Sequence, residues 1–216
     1  ELSADKEMSQ AEHLLTMQLL YKSLWSLVAP GKFNTYYSIV CKMVLLTLEH
    51  GRCDYSAAAY MRYADVMTLM GKPYAESYHV AKLALSLAEK SDNSSSQSDV
   101  YHGFSETILH WVEPIRNSFF YLEQVITSGH KGINQPVAAF SSLILSYYKF
   151  ISGVKLPKVE EEIKEHLDFL KKTHQDTIHD YIFITTYQPL LALQGKTLNP
   201  LSFDTEYTHV LGLLNN

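Results

Sequence analysis

A chain of 216 residues, 46% of them hydrophobic, carries enough apolar side chain for a sizeable core, which excludes overall disorder and permits one domain or two small ones. A formal charge of −5 and a pI near 6.1 give no electrostatic basis for binding nucleic acid or an anionic membrane. Cys41 in a predicted helix and Cys53 in a turn make no disulfide framework, so a reducing, cytoplasmic compartment is expected.

Ser3 or Asp5 is positioned to cap a first helix running to about Val28, with Leu14, Leu15, Leu19, Leu20, Leu24, Trp25 and Leu27 as its apolar face. A second helix spans Asn34 to His50, and Gly51 stands where a C-terminal cap belongs. The apolar runs of these two helices are broken by Lys22 and Lys42, so neither has the uninterrupted length a bilayer requires. The stretch Asp54 to Lys90 then reads as a helix pair joined by Gly71-Lys72-Pro73. In its first helix only Arg62, Asp65 and Thr68 interrupt the apolar and alanine residues, which predicts cover on most sides. The second has one side to bury, Tyr74, Tyr78, Ala81, Leu85 and Ala88, opposite a wet stripe of Glu76, His79, Lys82, Ser86 and Glu89.

Ser91 to Ser98 has the composition of a mobile surface loop, with Ser98 or Asp99 as the cap of the helix that follows, Val100 to Val112. Pro114 opens the next helix, Ile115 to Ser128, which Gly129 and Gly132 close. A helix from Gln135 to Ser152 is predicted to bury Val137, Phe140, Leu143, Ile144, Tyr147, Tyr148 and Ile151. Pro157 opens a charged, largely exposed helix with the narrow stripe Val159, Ile163, Leu167 and Leu170 and the i,i+4 pairs Glu160/Lys164 and Asp168/Lys172. Thr177 to Gln194 contains the strand-like run Tyr181 to Tyr187, but its neighbours favour a helix kinked near Pro189. Asp204 caps a short last helix ending near Leu214.

Helix starts fall near residues 33, 74, 115 and 157 and, interleaved, near 55, 99, 135 and 177, a repeat of about forty residues with two helices per unit. The expected fold is therefore all-α: an antiparallel helix-pair array of about nine helices, a superhelix forming one domain over residues 1–216. The start at Glu1, without methionine, fits a segment of a longer protein.

The pattern Tyr60-x2-Tyr63-Ala64-x2-Met67-x3-Gly71 resembles the first helix of a tetratricopeptide repeat, and Ser142-x2-Leu145-Ser146-x6-Gly153 is a weaker copy. MVLLTLEHG (43–51), the run from Ser56 to Lys90, the His110-Trp111-x2-Pro114 step and ISGVKL (151–156) resemble the tetratricopeptide-like region of very large bacterial signalling ATPases. In that family an AAA/STAND-type nucleotide-binding module, often preceded by a kinase-like domain, is followed by this helical region. GAF and histidine-kinase or guanylate-cyclase output modules come after it. The resemblance implies a regulatory segment of a sensor and carries over no catalytic residue. No GxxxxGK[ST] phosphate loop is present in the chain.

His102, Glu106 and His110 follow one another at i, i+4 and i+8, but the outer two are separated by about 12 Å of helical rise, too far to share one metal unaided. The expected reading is an exposed polar stripe, with no metal and no cofactor. Cys53 beside Arg52 reads as a turn residue, and Glu160, Glu161 and Glu162 as a solvated helix N-terminus. No G-x-S-x-G elbow marks a catalytic serine. Tyrosine is the more informative residue. Tyr55, Tyr74, Tyr78 and Tyr101 are candidates to line a groove that holds a partner; the competing reading is that Tyr60, Tyr63 and Tyr78 simply pack between helices. The expected function is a non-catalytic scaffold whose partner is a protein, either a flanking module of the parent chain or a peptide segment. The alternative is a sensor with an apolar pocket between helices for a small signal, and an enzyme is the third reading.

Overall fold

The computed structural model describes residues 6–28 and 31–199, apart from the side chains of Trp25 and Val28. Among these residues the fold is all-α: nine helices and no strand, as the periodicity predicts. The chain divides into two compact units, Glu1–Pro114 and Ile115–Asn216.

The first unit contains α1 (Ala11–Val28), α2 (Phe33–His50), α3 (Ser56–Leu69), α4 (Tyr74–Ala88) and α5, which begins as Ser94–Gly103. Antiparallel α3 and α4 make the tightest pair, because Ala57, Ala58, Ala59, Ala64, Ala81, Ala84 and Ala88 are all buried and let the helix axes approach. α2 and α5 cover α3 further, so it is enclosed on most sides. The wet stripe of α4 is exposed at every predicted position.

Several expectations change in this unit. The proposed caps Ser3 and Asp5 lie outside the described residues, and α1 starts only at Ala11. Ahead of it, Lys6 to Met8 runs parallel to the α2–α3 connection: Met8 N donates to Arg52 O and Arg52 N to Lys6 O, both at 2.8 Å. This crossing explains Gly51 better than capping alone does. A Cβ there would lie 2.5 Å from the Lys6 carbonyl oxygen, and φ is +104°. The second change concerns residues 91–98. α5 already begins at Ser94, because the Asn93 side chain accepts a hydrogen bond from Ser96 N at 3.0 Å, so the cap is Asn93 rather than Ser98 or Asp99.

α5 then loosens, widening to a π turn over Phe104–Ile108 and tightening to a 3-10 turn over Leu109–Trp111, just before Pro114. The single helix predicted for Val100 to Val112 is thus the irregular half of a longer one. The apolar part of its buried face is Val100, Phe104, Ile108 and Leu109.

In the second unit a 3-10 turn, Ile115–Asn117, leads into α6 (Ser118–His130), followed by α7 (Gln135–Ile151) and α8 (Leu156–Lys172). α9 consists of Asp176–Ile182, a π turn Phe183–Tyr187 and Gln188–Leu193. The helical reading of this last stretch holds, and its irregularity falls directly before Pro189, which cannot donate to the carbonyl four residues back. The helix proposed for Asp204 to Leu214 lies outside the described residues.

α6 and α7 pack closely through Gly129, whose missing Cβ leaves room for Ala138 Cβ. Gly129 therefore lies inside α6 rather than closing it. Leu122, Ile126, Leu145 and Tyr148 form the core between them, with Ile115, Phe119 and Ile144 against it. The buried face of α7 is rotated from the predicted one. Val137 and Tyr148 are buried as predicted, but Ala138, Ala139, Ser141, Ser142, Leu145, Ser146 and Lys149 complete the buried face, and Phe140, Tyr147 and Ile151 are exposed. Small residues are what a close crossing accepts, and the serines are satisfied locally: Ser142 Oγ donates to Ala138 O at 3.0 Å and Ser146 Oγ to Ser142 O at 2.7 Å. On α8 the stripe Val159, Ile163, Leu167 and Leu170 is buried as predicted, but Glu160, His166 and Phe169 join it. The helix is correspondingly less exposed than its charge suggests.

Candidate functional site

The four tyrosines singled out from the sequence do not form one groove. Tyr74 and Tyr78 lie on α4 and face the irregular half of α5. The Tyr74 ring stacks on Trp111, with centroids 4.8 Å apart and planes 9° from parallel, and both rings remain exposed, 43% and 54%. Tyr78 packs tilted on Phe104 at 5.9 Å, and its hydroxyl donates a short hydrogen bond to Glu113. Tyr55 stands apart on the α2–α3 connection, against Tyr21 of α1 at 4.9 Å, and Tyr101 is half-buried on α5. Trp111 is a member of the surface that sequence reasoning missed, although it belongs to the His110-Trp111-x2-Pro114 step. Leu69 and Met70, at 66% and 70% exposure, precede the same α3–α4 turn.

The first unit also holds a network of buried charge. Arg62 is almost fully buried and divides its guanidinium between Asp65 of its own helix and Asp99 of α5, each at 3.1 Å. Thr107 from the π turn donates a short hydrogen bond to the other oxygen of Asp65. Burial outweighs Arg62 and Thr107 and lifts the Asp65 carboxyl from 3.8 to about 6. Arg62 stays charged, since the two aspartates overcome its desolvation. Burial, joined by Asp99 at Tyr21 and by Asp65 and Asp99 at Tyr36, also suppresses ionisation of these two hydroxyls, that of Tyr36 being pushed up to about 12.

Further along α5, His102 Nε2 meets Glu106 at 3.0 Å. His102 is fully buried, which corrects the expectation of an exposed stripe. Burial alone would raise the Glu106 carboxyl, but the His102 hydrogen bond and the charges of His102, Arg62 and His110 bring it below the ordinary value. No group of three or more His, Cys, Asp or Glu among the described residues is arranged to hold a metal ion.

A cleft of about 690 Å³ lies at the other end of the first unit, where Met8, Leu14, Leu15, Tyr55 and Leu87 form apolar walls beside Arg52. Cys53 also borders it. Burial pushes its thiol up, away from the thiolate, and Ser56 Oγ lies 3.7 Å from the sulfur.

The second unit holds a second cleft, about 500 Å³, between α6, α7 and α8. The Lys149 ammonium crosses from Glu123 at 2.8 Å to Glu162 at 2.6 Å, with the Phe119 ring at 5.5 Å. Burial opposes its charge, and the two carboxylates more than restore it, so its pKa is raised. His166 Nδ1 is 2.9 Å from Ser146 Oγ. Because that hydroxyl donates to Ser142 O, Nδ1 carries the proton of a neutral ring. Burial, and then the charges of Lys149 and His130, hold His166 down at about 4. Of the supposedly solvated glutamates on α8, Glu161 is exposed, but Glu160 is buried and accepts from Lys164 at 2.7 Å, Gln194 at 2.9 Å and Lys196 at 2.5 Å. Desolvation would raise its pKa, yet these three donors lower it to about 2.

Comparison of the chain with protein-family models, with curated proteins and with solved structures finds no match.

Proposed function

We propose that this chain is a non-catalytic helical scaffold that holds a protein partner, acting as a regulatory segment of a larger signalling protein of the kind its sequence resembles. The observation that carries the reading is the exposed Tyr74–Trp111 stack, with the exposed Leu69 and Met70 at the end of α3. Rigid aromatic rings with an accessible face lose little conformational entropy on binding and recur as the anchors of protein interfaces. The titratable groups of the interior support the same reading, since each is engaged by a structural partner: Arg62 with Asp65 and Asp99, His102 with Glu106, and, in the second unit, Lys149 with Glu123 and Glu162. The partner is a flanking module of the parent chain or a peptide segment docking on the aromatic face.

Calorimetric titration of the chain with each flanking module, separately purified, tests this. Association in the micromolar range is expected, and replacing Tyr74 and Trp111 together by serine should weaken it at least about tenfold, as expected for hot-spot aromatics. No association of any flanking module at high micromolar concentration would remove the proposal.

A further inference from the structure

We infer that the 690 Å³ cleft of the first unit is a binding site for a small amphipathic organic anion, an apolar body carrying one carboxylate head, anchored by Arg52. The volume falls within the range of small-molecule sites, and the apolar wall is already assembled. Met8 and Ala57 are buried at its floor, while Leu14 and Leu15 stand partly exposed at its mouth.

Arg52 gives the site its polarity. Its backbone is fixed by the two hydrogen bonds to Lys6 and Met8, so the side chain projects from a defined point. Among the described residues no carboxylate lies within ion-pair distance of its guanidinium, and none supplies an acceptor to its Nε, which is shut off from solvent. A desolvated donor with no acceptor is costly, and a bound carboxylate would supply one in the bidentate geometry that guanidinium favours. Lys90, also without an ion-pair partner among the described residues, adds a second positive charge at the rim. Glu7 and Asp54 border the cleft as well, but both are exposed, so solvent and salt screen their repulsion of an anion. Cys53, kept as a thiol by burial, contributes a small apolar contact rather than an opposing charge.

This site is independent of the aromatic face proposed for protein binding, and its test does not depend on that reading. The whole chain is titrated with octanoate, with octanol as the uncharged probe of the same body and inorganic phosphate as the head without a body. Octanoate should bind saturably at one site, with octanol and phosphate each at least about tenfold weaker. Arg52→Gln should weaken octanoate by about tenfold or more, whereas Lys172→Gln, in the other unit, should leave it unchanged. Amide resonances give a readout that needs no variant, since shifts should concentrate at residues 7–18, 52–57 and 87–91. Octanol or phosphate binding as well as octanoate, an Arg52→Gln protein of unaltered affinity, shifts centred elsewhere, or no saturation would each overturn the assignment.

Discussion

Arg62 ties α3 to α5 from inside, and its surroundings make it more consequential than any surface ion pair. Asp65 and Asp99 are buried beside it, so removing the guanidinium leaves two carboxylates without a counter-charge. Arg62→Met should therefore cost about 3–5 kcal/mol, read as a lower urea midpoint, while adding Asp65→Leu and Asp99→Leu should recover most of the loss. Asp65 also sets a pH dependence. Its pKa is higher folded than unfolded, so between 3.8 and about 6 the native state holds a proton that the unfolded chain has released. Stability from this group is complete below the lower value and is lost as pH rises through the upper one, by about 3 kcal/mol at most. Urea titrations at pH 4 and pH 7 check this: Asp65→Asn should lack that component, and a variant tracking the wild type across the window would contradict it.

Between elements, small residues decide how closely helices pack. Gly129→Ala would drive a methyl into Ala138 and push α6 from α7, at a cost of about 2–3 kcal/mol seen as a lower melting temperature. This contact shows why some of the fold was legible in the sequence and some was not. Helix existence followed from apolar periodicity and from the glycine and proline stops, which is why α2, α4 and α8 have nearly their predicted bounds. The buried face of α7 did not, because periodicity gives weight to bulky residues such as Phe140, Tyr147 and Ile151, whereas the close crossing selected Ala138, Ser142 and Ser146. The buried charge network was equally hidden. An arginine and an aspartate three residues apart on α3 look like breaks in an apolar helix, and their third partner, Asp99, is remote in sequence. A hint was available in the surrounding alanines, which leave such a pair nowhere to reach solvent. The aromatic surface was half-visible: Tyr74 and Tyr78 were identified, but Trp111 is brought to them by the α5 π and 3-10 turns, which no simple period anticipates.

At the scale of the whole molecule, the two units carry different electrostatic designs and should answer acid differently. In the second unit His166 is held neutral with a pKa of about 4, well below its unfolded value of 6.5. Here the unfolded state binds the extra proton, so stability is full above 6.5 and falls as pH drops toward 4, by about 3 kcal/mol. The melting transition of this unit should fall between pH 7 and pH 5, and His166→Gln should flatten the response; an unchanged response in that variant would assign the acid sensitivity elsewhere. Glu160 adds to the loss only at lower pH, since its depressed value of about 2 keeps it ionised when the unfolded chain is already protonated near 4.5. The first unit has its own distinguishing part, the segment Lys6 to Met8 laid across the notch at Gly51. Its two backbone hydrogen bonds are reciprocal, so lifting the segment releases the amides of Met8 and Arg52 together. Those two protons should exchange with deuterium with one common protection factor, smaller than that of the amides inside α3 and without unfolding of the unit. The segment is thereby a separable cooperative element, and since Glu7 and Met8 border the 690 Å³ cleft, its lifetime in place sets how long that cleft keeps one wall.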